Sequence, residues 1–224
     1  MDIATLRASL PPPHPAARPF LLAAAALIVI GWLAAPLHFL LWLGLVFGLF
    51  TLFFFRDPER VPPDWPGAVV APADGRVVAV GTRLPPPELG LPPEPRPYVG
   101  IFLSVLDVHI NRAPVGGQVR RVVYRPGAFI DASLDKASET NERNALLIVT
   151  PGGEEVAVVQ IAGLIARRIV CWAREGSFLR TGERFGLIRF GSRTDLYLPP
   201  GTAIRVREGQ RMVGGESVIA ELAP

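Results

Sequence analysis

The alternation of polar and apolar positions changes character once along this chain. From Phe20 to Phe55, 36 consecutive residues carry no Asp, Glu, Lys or Arg. A helix rises ~1.5 Å per residue and needs about 20 apolar residues to cross a ~30 Å hydrocarbon layer, so the stretch is too long for one span. Pro36 divides it into 16 and 19 residues, Phe20–Ala35 and Leu37–Phe55, which predicts a tight helical hairpin in a membrane. Gly44 and Gly48 have the small-xxx-small spacing that lets helices pack closely. Arg7 and Arg18 before the stretch and Arg56 and Arg60 after it then face the same side, which by the positive-inside tendency is the cytoplasm. A kinked single span or an interfacial helix satisfies the same composition. A cleavable signal peptide fits poorly, because the apolar stretch is far longer than such peptides need.

Beyond Arg56 the apolar runs are short, β-branched and bounded by Gly, Pro and Asp, which is the signature of strands. Val69 to Val80 reads as two such runs around Asp74-Gly75 and predicts a hairpin. Seven prolines between Pro85 and Pro97 predict an extended surface loop. Further strands are expected at Tyr98 to Val105, Val119 to Tyr124, the runs ALLIVT and VAVVQI joined by the turn PGGEE, Arg184 to Phe190, and the terminal AIRV and SVIA. Only Ile161, Ile165 and Ile169 show helical i, i+4 spacing. The expected fold is a β-rich α+β single domain over residues 56–224, preceded by a tail (1–19) and an N-terminal hydrophobic membrane anchor (20–55).

Composition narrows the function classes. The 169 residues from Arg56 onward hold 40 of the 43 charges, an ordinary density for a globular domain. The net charge of +3 comes from 22 scattered Arg and the single Lys136, a pattern that suits anionic lipid headgroups better than nucleic acid. One cysteine, Cys171, excludes an intrachain disulfide, and the three well-separated histidines give no zinc spacing, so no metal is expected.

Two segments, Ala71 to Val80 and Arg207 to Ala220, each read as strand, glycine turn, strand. Together they resemble the barrel-sandwich of lipoyl and biotinyl carrier domains, and Lys136 sits in a DKA triplet like the modified lysine of a lipoyl domain. A membrane-tethered carrier or adaptor is therefore one functional reading. Against it, SLDKASETNERN is a long polar stretch that reads equally well as a loop bonding its own backbone.

The other reading takes four segments together: APADG (Ala71 to Gly75), FLSVLDVHINRAP (Phe102 to Pro114), DKASETNERN (Asp135 to Asn144) and RFGLIRFGSRTDLYLP (Arg184 to Pro199). In this order, behind a hydrophobic N-terminus, they resemble the phosphatidylserine decarboxylase family in its short bacterial and archaeal form, from about Phe55 to the end. FGSR followed by TDLYLP is the most specific element. Taken alone, Gly-Ser here reads as a turn, a lone histidine between Val108 and Ile110 as structural, and Asp-Gly as a turn former.

The resemblance implies a proenzyme that cuts itself at Gly191-Ser192 into residues 1–191 and 192–224, which stay together as a heterodimer and allow higher oligomers. Ser192 is then converted to a covalent pyruvoyl cofactor, which forms a Schiff base with the amine of phosphatidylserine and releases CO₂ and phosphatidylethanolamine. His109 and Asp74 match the family's catalytic positions. Many relatives carry a second histidine three residues after the first, where this chain has Arg112, which stays protonated and cannot act as a base. His109 is thus expected to serve maturation, decarboxylation or both, or else one of these jobs falls elsewhere. Arg112, Arg120 and Arg121 are candidate partners for the lipid phosphate.

Overall fold

The computed structural model describes residues 11–129, 140–163, 168–189 and 191–222. It divides into two compact units, Met1–Glu59 and Arg60–Pro224. In the first, α1 (Arg18–Leu33) and α2 (His38–Phe54) are joined through a short 3-10 turn at Ala35–Leu37. Pro36 lies in that turn, where its fixed φ and missing N–H suit a break between helices. The helices run antiparallel: Pro13 bridges Arg56, and the Phe20 and Phe55 rings stack at 5.3 Å. The helices touch backbone to backbone at two glycines: a Cβ on Gly31 would stand 2.3 Å from the Leu41 nitrogen, and one on Gly44 2.8 Å from the Ala24 carbonyl oxygen. The segment Pro15–Leu33 is long and apolar enough to cross a membrane, and α2 is a shorter apolar helix.

The second unit is β-rich. Its main sheet has eight antiparallel strands in the order β12 (Arg211–Met212), β2 (Gly75–Arg83), β3 (Arg96–Leu103), β11 (Ser192–Tyr197), β7 (Glu155–Ala162), β6 (Arg143–Val149), β5 (Gly117–Arg125) and β9 (Phe178–Leu179). This sheet curls into a half-barrel. A three-stranded sheet, β4 (Ile110–Arg112), β10 (Arg184–Ile188) and β8 (Ile169–Cys171), and a pair, β1 (Ala68–Val70) with β13 (Val218–Glu221), complete the unit.

Both faces of the large sheet are covered, which is why ALLIV and VAVV are continuous apolar runs rather than alternating ones. Alternate residues such as Leu146, Val158, Leu196 and Ile101 pack with Val69, Phe185 and Ile219 in the main core. Their neighbours Leu147, Val159, Tyr197 and Tyr98 pack with Leu89 and Leu91 on the other face.

Several sequence expectations change. The ALLIVT and VAVVQI runs do form a hairpin, β6 with β7. Asp74-Gly75, however, is no hairpin turn: β1 pairs β13 while β2 pairs β3 and β12, so the chain switches sheets there. The two matched segments pair with each other rather than within themselves. The proline tract is not purely a surface loop, because its Leu89 and Leu91 are buried as the cover of the second core. AIRV makes only an isolated bridge, Ile204 to Ala220. The isoleucines marked for a helix lie in strands, Ile161 in β7 and Ile169 in β8, while Ile165 and Lys136 fall outside the described residues.

Candidate active site

Ser192 opens β11 in the middle of the large sheet, between Leu103 on β3 and Ala162 on β7. It is fully buried, and its Oγ has no hydrogen-bond partner among the described residues. Buried hydroxyls are nearly always bonded, so this one calls for a reason. The residue before it, Gly191, has φ +64°, a left-handed conformation that favours glycine. The Gly191 carbonyl accepts the N–H of Gly163 at 3.1 Å, which carries the β7–β11 ladder one step past Ala162.

His109 is brought over Ser192 by the way the small sheet sits on the large one. Its carbonyl accepts the Ile188 N–H at 3.3 Å, which sets His109 opposite Ile188, next to the Ile110–Leu187 pair of β4 and β10. Two residues along β4, on the same face, Asn111 is tied to the large sheet. Gln160 Nε2 donates to Asn111 Oδ1 at 2.8 Å, and Asn111 Nδ2 reaches Thr194 Oγ1 at 3.5 Å. Asn144 Nδ2 in turn donates to Gln160 Oε1 at 3.0 Å, so four buried side chains form one chain of bonds.

Gln160 and Thr194 are register partners, and two residues on, ~6.6 Å away, the partners are Ala162 and Ser192. Ala162 packs against Ile188, the residue opposite His109. The His109–Ile188 row therefore lies over the Ala162–Ser192 row, as Asn111 lies over Gln160–Thr194. The imidazole Nδ1 is 2.9 Å from the Asp107 carbonyl oxygen, which can only accept. That contact assigns the neutral ring's proton to Nδ1 and leaves Nε2 as the basic nitrogen. Asp107 is itself fixed, its carboxylate accepting from the Ser104 N–H and hydroxyl at 2.8 and 2.7 Å.

Asp74 stands at the entry to β2, at the same end of the large sheet as Ser192. Arg76 and Arg193 both pair with Phe102, so Asp74 is two strands, about 10 Å, from the serine row. Its carboxylate accepts from Arg60 Nη2 at 2.9 Å and the Gly214 N–H at 2.7 Å. Arg112 is buried, and its guanidinium donates to the Gly182 carbonyl at 3.0 Å.

Arg120 and Arg121 are not brought to the serine. A register irregularity between Val119 and Arg121 leaves both exposed on β5, with Arg120 on Glu155 and Arg121 on the Glu88 carbonyl. In register, Arg121 lies level with Leu147, Ala157 and Tyr197, five residues along β11 from Ser192. Burial pushes the Cys171 thiol up, which keeps it protonated and unreactive. Among the described residues no group of three or more His, Cys, Asp or Glu could hold a metal ion.

Sequence reasoning missed Gly163, Asn111, Gln160 and the pair Arg193 and Asp195. Signals for three of them were present: Gln160 is the lone polar residue in VAVVQIA, and Arg193 and Asp195 alternate with small or apolar residues in SRTDLYL.

A buried serine in the large sheet and a histidine on the small sheet packed against it place the chain among β-rich proteins with a buried polar site. Residues 47–220 match the family described as phosphatidylserine decarboxylase. A protein named phosphatidylserine decarboxylase proenzyme from Granulibacter bethesdensis is 61% identical over 222 residues, 99% of this chain and 90% of that protein. Proteins of the same name from Gluconacetobacter diazotrophicus and Rhodococcus jostii are 59% and 52% identical, covering 98% and 97% of this chain and 99% and 90% of their own lengths. The chain belongs to the phosphatidylserine decarboxylase family and is a decarboxylase.

Proposed function

We propose that the chain decarboxylates phosphatidylserine to phosphatidylethanolamine after cutting its own Gly191–Ser192 bond. The observation that carries this reading is the buried Ser192 Oγ, without a hydrogen-bond partner among the described residues, next to a left-handed glycine whose carbonyl already accepts an N–H.

His109 Nε2 takes the Ser192 hydroxyl proton, and Oγ attacks the Gly191 carbonyl carbon. The Gly163 N–H stabilises the negative charge that develops on the carbonyl oxygen. The C–N bond breaks, the Ser192 nitrogen takes a proton, and the peptide becomes an ester. Loss of the Ser192 α-proton then expels the Gly191 carboxylate, and water replaces the nitrogen, which leaves as ammonia, with a ketone. Asp74, held by Arg60 and the Gly214 N–H at the site end of the sheet, is the acidic member of the proposed site.

The residues fit the pyruvoyl group, since residue 192 is held dry and in register between β3 and β7. When formed, that ketone takes the substrate amine covalently and withdraws the electron pair released as CO₂ leaves. His109, stacked on the same row, holds the proton that replaces CO₂ on the substrate carbon.

Residues 20–55 anchor the enzyme in the cell membrane, with the tail 1–19 and the decarboxylase domain 56–224 on the cytoplasmic side. The large apolar side chains exposed on both helices, Leu22, Trp32, Trp42 and Leu49 among them, suit lipid contact. Residues 1–191 and 192–224 remain a heterodimer, because a 33-residue piece cannot fold alone.

The test is an intact-mass spectrum of the purified protein beside Ser192→Ala. Wild type should give two chains split after Gly191, the smaller with a blocked N-terminus, and Ser192→Ala a single inactive 24.2 kDa chain. An uncut wild-type chain carrying a mass increment on Lys136 would establish the carrier reading instead.

A further inference from the structure

Ser192 faces the main core, and its neighbour Arg193 faces the opposite core, where it is the largest fully buried side chain. Its Nε donates to Asp195 Oδ1 at 2.6 Å, and its Nη2 donates to the Tyr98 hydroxyl oxygen. Asp195 and Tyr98 are each about 1% exposed. The room for this cluster comes from Gly100 on β3, where a Cβ would stand 2.6 Å from Arg193 Nη2 and 2.8 Å from the Tyr98 hydroxyl. Tyr98 is held from two further sides, by the Tyr197 ring at 5.1 Å and by the Arg83 guanidinium 4.6 Å over its face. Burial, reinforced by the Asp195 charge, pushes the Tyr98 hydroxyl well up, so the phenol stays neutral.

A buried ion pair is poor evidence of stability as such, since an apolar replacement is often as stable. Its better-attested use is to fix register, and register is what this site needs. Side chains alternate faces along a strand, so a one-residue slip of β11 would carry residue 192 to the wrong face of the sheet. Before cleavage the chain connection to β10 opposes such a slip. Afterwards residue 192 is a strand terminus, the kind of position that frays.

We propose that Arg193, Asp195 and Tyr98 form an anchor that holds the new N-terminus of the small chain in register after cleavage, making them positioning residues for the pyruvoyl group. The proposal rests on the cleavage reading above. A slip would carry the guanidinium and its carboxylate together off the Tyr98 hydroxyl of β3 and turn both charges to the apolar main core, whereas frayed ends elsewhere lose only exposed bonds.

Two mild variants test it in the full-length protein: Tyr98→Phe, which removes one oxygen, and Gly100→Ala, which crowds Arg193 without deleting a polar group. Cleavage is read by intact mass, active ketone by titration with an aminooxy reagent, and turnover on phosphatidylserine in mixed micelles is expressed per titrated ketone. A further readout is the urea concentration at which the small chain leaves the large one on size exclusion. Both variants should be cut to the wild-type masses, lose about tenfold or more in kcat per ketone with KM within about twofold, and release the small chain at lower urea.

Cut variants with wild-type kcat per ketone and wild-type retention would overturn the anchor, as would variants that stay uncut, since the anchor acts after cleavage. An uncut wild-type protein removes the cleavage reading itself, and is told apart because it shows in the parent chain.

Discussion

Gln160 on β7 donates its side-chain amide to Asn111 on β4 across 2.8 Å, joining the two sheets directly below the row that carries His109 and Ser192. Both residues are completely buried. Gly186 on β10 makes the bond possible, because a Cβ there would stand 2.7 Å from Gln160 Nε2. The proposed chemistry thus depends on a polar bond between two residues that the proposal gives no reacting role.

Gln160→Leu should expose that dependence. It removes the partner of Asn111 Oδ1 and of Asn144 Nδ2 in a dry interior, a cost of about 1–3 kcal/mol for each group left unmet. The variant is expected to melt several degrees lower by differential scanning fluorimetry and to accumulate uncut chain. Unchanged melting together with unchanged cutting would show that the two sheets do not need this bond.

His109→Ala separates the two stages of the proposed chemistry. If the imidazole is the base that activates Ser192, the variant accumulates proenzyme, and Asp74→Asn cuts more slowly. If His109 serves only as the later proton donor, the variant is cut normally and releases no phosphatidylethanolamine. A gel of the variant beside a CO₂ assay distinguishes these outcomes, and full cleavage with full activity would return His109 to a packing role.

Gly191→Ala tests the backbone rather than a side chain. No atom lies within 4 Å of the added Cβ, so the whole effect comes from φ +64°, worth about 1–2 kcal/mol for alanine. Cleavage followed by pulse–chase should slow roughly tenfold. Gly191→Asn should fare better, because asparagine enters the left-handed region more readily; equal rates for the two variants would contradict the backbone argument.

Glu88 gives a pH prediction. Burial alone would raise its carboxyl, but the Arg143 hydrogen bond at 2.7 Å and the charges of Arg143 and Arg125 outweigh burial and leave it below the ordinary value. A lowered folded pKa contributes stability above the unfolded value of about 4.3, and that stability is lost as pH falls from there through the folded value. Glu88→Gln should therefore be less stable than wild type near neutral pH, with the gap closing below about pH 4. Urea titrations across that range check it, and a gap independent of pH would mean the ion pair contributes nothing.

Gly44→Leu addresses the helical pair. The first added carbon would stand 2.8 Å from the Ala24 carbonyl oxygen and 2.9 Å from the Ile28 nitrogen, both backbone atoms that cannot step aside. Phe20→Cys and Phe55→Cys, whose rings stack at 5.3 Å, should be joined by a short bifunctional thiol reagent in the parent chain and much less in the Gly44→Leu background; equal cross-linking in both would contradict the packing argument.

The sequence by itself determined the family and most of the local elements. A charge-free stretch broken at Pro36 marked two apolar helical segments, and the structure forms them as the antiparallel pair α1 and α2. Continuous β-branched runs between turns can only be buried strands. The FGSR motif, together with the segments around His109 and Asp74, marked the family without any coordinates.

Tertiary structure decided whatever depends on which strands meet. β11 was hidden because four of its six residues are charged or polar, and only a sheet covered on both faces, with Asp195 and Tyr98 beside it, makes Arg193 a core residue. Asp74-Gly75 carries a hairpin's residues, yet β13 and β3 compete for its two flanks and win. The arginines read from the sequence as phosphate partners turn to Gly182, Glu155 and Glu88, since a guanidinium takes the nearest acceptor the fold offers. His109 and Ser192, 83 positions apart in the chain, come to neighbouring sheets through the β4–β10 register and the Gln160–Asn111 bond, and neither is written in any local pattern.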